Sequence, residues 1–359
     1  MDIDFVIAWV DGSDPDWLSE KRYWQERETG QAGISRVGDV SEGGGSLRAR
    51  GRYSDGGSGF DARIERYRDF GLLRYLFRGI ERFAPWVRRV FLVTAGQRPP
   101  WLNIRHKKLR LIDHRDYIPE KYLPTFNSHA IELNFHRIEG LSERFVYFND
   151  DVFILRPIAK DHFFKDGKPR DMLSLQPIVA NGKDSCMPYI YLNNAMALSR
   201  HFRKRERLWR YFHPSYPIFR QLYNALELTF PKFTGFYTSH GPSSLTRTAY
   251  REIWDLERET LDRTSSHRFR SREDVNQYLI REWIKLKGDF VPYNVDRDNS
   301  YFDLSNNNDR LLRAIREQKK AFICINDGYE GVDFKRVRLG LHRAFENVLP
   351  DRSSFERGD

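Results

Sequence analysis

RFVYFNDDVFIL, residues 144–155, is the stretch from which the fold can be read. Phe145, Val146, Tyr147 and Phe148 form an uninterrupted β-prone apolar run, the pattern of a strand buried on both faces, and Asn149, Asp150 and Asp151 follow at its carboxyl end. In open α/β sheets ligands sit outside the carboxyl ends of strands. Two adjacent carboxylates there repel each other unless a cation or a set of donors faces them. Oxygen ligands of this kind suit Mg²⁺ or Mn²⁺ better than zinc, and Mg²⁺ is usually held by one or two carboxylates together with substrate phosphates. A solvated turn with two exposed acids is the plainer reading, so the flanking chain has to decide between them.

Toward the amino end, Ile3 to Val10 is mostly apolar and reads as a buried first strand, stopped by the turn Asp11, Gly12, Ser13, Asp14 and Pro15. A short helix over 17–28 follows. A turn after a first parallel strand is a usual place to hold a nucleotide, which makes Asp11, Gly12 and Asp14 candidates, although Asp-Gly and Asp-Pro are also ordinary turn chemistry. Residues 29–60, with GGGS, RARGR and SDGGSG, carry too few large apolar side chains to order themselves, and a flexible Gly/Ser-rich insertion with phosphate-seeking basic residues is expected. Leu73, Leu76, Phe77, Ile80 and Phe83 have helical spacing, with Arg74 and Arg78 on another face. Strands over 90–94, ending in Ala95, Gly96 and Gln97, and over 109–112 come next. Ser128 is a candidate N-cap for a helix running to the Gly140 stop. This alternation predicts an α/β fold built on a Rossmann-like, mainly parallel sheet, with helical additions in the second half.

Toward the carboxyl end, MLSLQPIV (172–179) reads as a further strand, and 191–202 and 217–228 as helices. His240 stands in a Gly/Pro-containing loop ahead of one helix, and Arg268 and Arg270 stand ahead of another, where free N–H groups and the dipole favour phosphate. A helix over 309–319 precedes a last buried strand, AFICIND, and Asp327 stands where that strand ends. The division expected is a nucleotide-binding α/β part over about 1–180 and a helical, acceptor-binding part over about 181–330, within a single catalytic domain spanning 1–359.

The totals exclude a disordered chain: of 359 residues, 40% are hydrophobic and 14% aromatic. Sixty basic against 50 acidic side chains, a net +10, favour phosphorylated or polyanionic partners and anionic membrane surfaces. Zinc-finger spacing, an RNP-like run and a basic zipper are all missing, so nucleic acid is not expected as a partner. Cys186 and Cys324 are far apart and carry neither a disulfide framework nor zinc-ligand spacing; packing is their expected role. Met1 leads straight into DIDFVIAWV without a basic leader, and no apolar run approaches a membrane span. The expectation is a cytoplasmic protein, peripheral at the inner face of the membrane if it meets a membrane at all.

Four separated blocks carry a resemblance: DIDFVIAWVDGSDPDW; RYRDFGLLRYLFRGIERFAPWVRRVFLVTAGQRPPWLN continuing through LPTFNSHAIELNFHRIEGLSERFVYFNDDVFI; FTGFYTSHGPSSLTRTAYREIWD with FRSREDVNQYL; and KKAFICINDG. In this order they resemble the Stealth family, phosphosugar transferases that include bacterial capsular-polysaccharide phosphotransferases and the catalytic subunits of the lysosomal-enzyme N-acetylglucosamine-1-phosphotransferase. The resemblance implies a GT-A-type fold and transfer of a hexose-1-phosphate from a nucleotide-sugar, typically a UDP-linked N-acetylhexosamine, to a sugar hydroxyl of a glycan acceptor. A phosphodiester forms and a nucleoside monophosphate, UMP, leaves. It further implies that Asn149, Asp150 and Asp151 hold the metal and the diphosphate, with Asp150 also counted among the catalytic groups. His240 and Arg270 stand at the family's His and Arg positions, and Asp327 at its later acid. The turn of Asp11 and Gly12 would border the nucleotide, with Arg74, Gly96 and Gln97 as further candidates for that pocket.

The chemistry of the residue types agrees. Transfer at phosphorus needs charge neutralisation, an in-line nucleophile and a stabilised leaving phosphate. Metal with Arg270 supplies the first. His240 could be the general base, or the nucleophile of a covalent intermediate. Asp327 could orient the histidine, act as the base itself or ligate metal. His129 and Asp14 are further candidates, and Ser128, His129 and Glu132 also suit a plain helix start. Two other functions share these features: a conventional glycosyltransferase that releases UDP, and a non-catalytic polyanion- or glycan-binding module.

Overall fold

In the computed structural model the described residues are 1–29, 60–179, 185–327 and 331–358, so the insertion expected between Thr29 and Phe60 lies almost entirely outside them. The main sheet has five strands. From edge to edge these are Leu109–Asp113, Val90–Thr94, Ile3–Ala8, Arg144–Asn149 and Ser243–Thr246. The first four run parallel and the last pairs antiparallel with Arg144–Asn149. This is the α/β, mainly parallel arrangement the sequence predicts.

Both faces of this sheet are covered, which explains the unbroken apolar runs. Side chains alternate across a strand. Phe5, Ile7, Val146 and Phe148 face the Leu73–Phe83 helix and the C-terminal helix Phe334–Val348. Val6, Phe145 and Tyr147 face the opposite layer, built on the Arg247–Leu256 and Gln277–Lys287 helices. Asp4 is the one charged exception on the first strand. Its side chain is fully buried, and it accepts hydrogen bonds from the Arg88 guanidinium, from the Arg89 backbone N–H (3.1 Å) and from the Ser142 N–H (2.7 Å).

The Asn149–Asp151 segment joins two sheets. Arg144–Asn149 ends in the main sheet, and after a two-residue turn Val152–Ile154 pairs antiparallel with Phe322–Asn326 in a three-stranded sheet completed by Asn299–Asp303. The Ile325 N–H donates to the Asp151 carbonyl at 2.9 Å, tying the turn to the later strand. Gly79 allows the Leu73–Phe83 helix to press against this connection, because a Cβ there would lie 2.6 Å from the Ile154 carbonyl oxygen.

Several local expectations are corrected. Asn127 rather than Ser128 caps its helix, since the Asn127 side chain accepts from the His129 N–H at 3.0 Å and Ser128 is the first helical residue. That helix stops at Leu133, and a 3₁₀ turn over Phe135–Arg137 continues the segment. MLSLQPIV does not form a strand: it runs beside 234–237 through scattered bonds and one bridge, Leu175 to Phe236. The Ser243–Thr246 strand, the Asn299–Asp303 strand and the Phe334–Val348 helix went unread in the sequence.

Asp4→Ala would leave the half-buried Arg89 and Ser142 N–H donors without their acceptor and the Arg88 guanidinium with only the Gly140 carbonyl. We expect a loss of about 3 kcal/mol in urea unfolding, at the low end for a broken buried pair because Arg88 is 30% exposed. A loss under about 1 kcal/mol would contradict this account of Asp4.

Candidate active site

A cleft of about 770 Å³ opens at the carboxyl ends of the parallel strands. Asn149, Asp150, Asp151, His240, Arg270 and Asp327, drawn from positions up to 178 residues apart, all line it. Asp11, Gly12, Arg74, Gly96 and Gln97 are not among its lining residues.

Those five residues have other contacts. Gln97 exchanges two 2.9 Å hydrogen bonds with the backbone of Asp11, whose carboxylate in turn accepts from Ser13. Gly12 lies so close to the Tyr67 carbonyl that a Cβ would fall 1.9 Å from it, and Tyr67 itself lines the cleft. The first turn therefore braces the cleft wall from behind. Gly96 has φ +79°, a conformation that favours glycine. Arg74 packs over the Trp101 ring at 5.8 Å, and Asp14 caps the first helix through the Trp17 N–H.

The floor of the cleft is acidic. Asp150 is exposed to the cleft at the turn after its strand. Burial, then Asp151 and Asp69, push its carboxyl up to about 8. Burial also pushes Asp151 up, to about 6, against a hydrogen bond from the Cys324 thiol to Oδ2 (3.5 Å). The other oxygen of Asp151, Oδ1, is buried and has no hydrogen-bond partner. Cys324, read as a packing residue, thus touches the site as well.

The surrounding wall is basic. Arg68 grips Asp327 through two 2.7 Å hydrogen bonds. Arg63 and Arg66 share Asp61, which burial would raise but which the Arg63 hydrogen bond and both arginine charges hold below the usual carboxylate range. Arg270 donates to Ser128 Oγ at 2.8 Å. Its short strand, Arg270–Ser271, pairs with Phe60–Asp61, which brings Arg270 beside Asp61. Four guanidinium groups therefore line a cleft floored by two carboxylates.

His240 occupies a firmly held loop. Arg281, buried and paired with Asp171, donates to the Ser239 carbonyl at 3.0 Å, and Asn299 donates to Ser239 Oγ at 3.1 Å. The ring lies 4.9 Å from that of Tyr301, and Nδ1 lies 3.3 Å from the Tyr278 hydroxyl. Burial first, and the Arg281 charge second, lower its pKa against the opposing Asp303. The imidazole is therefore neutral at neutral pH and able to accept a proton.

Of the other lining residues, His129 is the further candidate named above, Glu132 suits a plain helix start, and Arg66, Arg68 and Asp69 carry no expectation from the sequence. His129 is buried, with Nδ1 2.9 Å from Asp274, and Glu132 accepts from the Tyr147 hydroxyl at 3.2 Å. Arg66, Arg68 and Asp69 open the longest block of resemblance, so the charge alternation RYRD directly after the low-complexity segment is the signal that could have found them.

A divalent cation fits these donors in one way. Among the described residues no group of three or more His, Cys, Asp or Glu could hold a metal. The partnerless Oδ1 of Asp151 and the raised carboxyl of Asp150 nevertheless form a two-carboxylate set, with Asn149 beside it, of the kind substrate phosphates complete.

Comparison with known proteins accords with this geometry. The family model for Stealth protein CR1, conserved region 1, matches residues 1–27, and that for Stealth protein CR2, conserved region 2, matches residues 66–171. The capsular polysaccharide phosphotransferase WcwK of Streptococcus pneumoniae is 32% identical over 99% of this chain and 98% of its own. The receptor polysaccharide phosphotransferase WefC of Streptococcus oralis is 35% identical over 99% of both. The exopolysaccharide phosphotransferase cps2G of Lactiplantibacillus plantarum is 33% identical over 99% of this chain and 96% of its own. Among solved structures, the galactosyltransferase LgtC in complex with donor and acceptor sugar analogues aligns over 98% of this chain and 96% of its own, at 12% identity and a TM-score of 0.39, too distant to carry residue roles. The protein is thus an enzyme of the phosphotransferase class. The chain belongs to the Stealth family.

If Asp150 and Asp151 await a cation, Mn²⁺ with a nucleoside diphosphate should raise the melting temperature. Asp151→Asn, which removes a buried carboxylate charge, should raise that of the metal-free protein by roughly 2–4 °C while losing the response to metal. A metal response that survives in Asp151→Asn would place the cation elsewhere.

Proposed function

We propose that this enzyme transfers a sugar-1-phosphate, an N-acetylhexosamine-1-phosphate, from a UDP-sugar to a hydroxyl of a glycan acceptor. The observation that carries the reading is the charge arrangement of the cleft: paired carboxylates with an unpartnered oxygen beneath four arginines, beside a neutral histidine. A diphosphate matches the arginines, and a cation shared between its oxygens and Asp150 and Asp151 would offset the remaining charge.

Bound Mg²⁺ or Mn²⁺ would neutralise charge on the phosphate oxygens. Arg270, oriented by Ser128, would bind the same group, and Arg68, held by Asp327, would fix its position. The nitrogen of His240 not facing Tyr278 would take the proton from the acceptor hydroxyl. The acceptor oxygen would then bond to the phosphorus that carries the sugar, and the bond from that phosphorus to the bridging oxygen would break, releasing UMP. Asp327 is engaged by Arg68, which favours a positioning role for it over that of base or metal ligand. In this reading residues of about 1–180, joined by Arg270, hold the donor and the rest of the 181–330 part offers the acceptor side, at the inner face of the cell membrane.

Phosphorus NMR with UDP-N-acetylglucosamine, Mg²⁺ and short glycan acceptors tests the bond that breaks. A phosphodiester signal with UMP is expected, and both should fall at least about 10²-fold in Asp150→Ala. UDP as the leaving group would instead make the enzyme a glycosyltransferase.

Because burial lowers the His240 pKa, its base form is present down to below the ordinary imidazole value of about 6.5 and is lost as pH falls further. At saturating Mg²⁺, which would keep Asp150 and Asp151 ionised, the acid limb of kcat/KM should therefore lie below about pH 6.5 and be absent from the residual rate of His240→Gln. An unchanged limb in that variant would remove His240 from the role of base.

A further inference from the structure

We infer that the exposed face of the Ile218–Glu227 helix, with the neighbouring Trp209 segment, is a docking surface for an anionic lipid bilayer. The helix is inverted relative to an ordinary surface helix, which buries its apolar stripe. Its buried residues are polar. Asn224 accepts from the Leu175 N–H at 2.7 Å and donates to the Tyr211 carbonyl at 2.7 Å, while Glu227 lies against Lys204 and Thr234. The outward residues Ile218, Leu222 and Leu226 recur every four positions on one face and are 72%, 65% and 60% exposed. Trp209, which the Asn224–Tyr211 bond brings alongside, is 70% exposed.

An apolar patch of this size on a soluble surface marks an interaction site, and its rim identifies the partner. Arg203, Arg205, Arg207 and Lys232 are exposed around it. Between positions 203 and 233 the only exposed acid is Glu206, 3.9 Å from Arg207. Apolar and aromatic side chains ringed by cations are what an interfacial helix presents to acidic headgroups. A two-fold pairing of this face with a second copy would set the same cations against one another. Among the described residues no helix is long and apolar enough to cross a membrane, so such a contact would lie on the bilayer. The face also adjoins the cleft. Arg220, on the same helix, donates to Gln176 at 3.4 Å and lies over the Tyr237 ring, and both of these residues line the cleft. A docked molecule would open its cleft beside the bilayer surface.

Flotation of the purified full chain with phosphatidylcholine vesicles, with and without phosphatidylglycerol, tests the proposal. Binding should require phosphatidylglycerol and weaken with salt. It should fall about fivefold for each of Arg203→Gln and Lys232→Gln, and at least about tenfold in Leu222→Ser/Leu226→Ser. Turnover of soluble substrates and the melting temperature should not change, since those side chains touch neither cleft nor core. Brominated lipid should quench the wild-type protein more than Trp209→Phe. Equal binding of wild type and Leu222→Ser/Leu226→Ser would overturn the assignment, as would a wild-type dimer that dissociates in that variant without any lipid binding.

Discussion

The constraint on which the structure depends is electrostatic: Asp150 and Asp151 sit side by side at the end of a buried strand, and the fold provides too little to compensate them. A buried carboxylate oxygen without a donor is costly, and Asp151 Oδ1 is one. The chain nevertheless fixes the pair firmly. The preceding strand is covered on both faces, the following one crosses into a second sheet, and the Ile325 N–H holds the Asp151 carbonyl between them. The backbone is over-determined where the side chains are under-satisfied, the condition under which local strain persists at functional sites.

The basic wall balances this floor without neutralising it. Arg68 with Asp327, and Arg63 and Arg66 with Asp61, are ion pairs in which each acid is at most 11% exposed. Such pairs hold guanidinium groups in a fixed geometry at little further entropic cost. The cleft thus holds its guanidinium groups rigidly paired in the wall, apart from Asp150 and Asp151 of the floor, which suits a ligand that itself brings negative charge and an accompanying cation. His240 follows the same economy: Arg281 reaches from Asp171 to the carbonyl next to it, so the imidazole is located by a buried ion pair that does not touch it.

How much of this was legible in the sequence depended on range. The apolar runs at 3–10, 90–94 and 144–149 gave the parallel strands, because burial on both faces leaves a local signature. Asn149, Asp150, Asp151 and Asp327 were found because each ends such a run, and His240 and Arg270 because separate blocks resemble one family. The Asn299–Asp303 strand went unread because its partly exposed, polar residues are strand only by pairing with Phe322–Asn326. Arg66, Arg68 and Asp69 carry only the RYRD charge alternation as a local signal, and the placement of Arg68 in the cleft wall is fixed by a partner as distant in sequence as Asp327. Asn127 prevailed over Ser128 as the cap through one hydrogen bond that composition does not reveal.

The Ile218–Glu227 helix illustrates the reverse case. Its apolar spacing is plain in the sequence and would ordinarily be assigned to the core, yet the fold turns that stripe outward. The reason lies in the two polar side chains. Asn224 satisfies backbone groups of Leu173, Leu175 and Tyr211, and Glu227 faces Lys204, a set of bonds that an apolar residue at either position could not make. Turning the helix over would bury Ile218, Leu222 and Leu226 but leave those partners unsatisfied, at roughly 1–3 kcal/mol for each buried polar group. The outward stripe is thus the consequence of a polar anchor beneath it, and that anchor holds the helix against the same 173–175 segment that leads into the cleft.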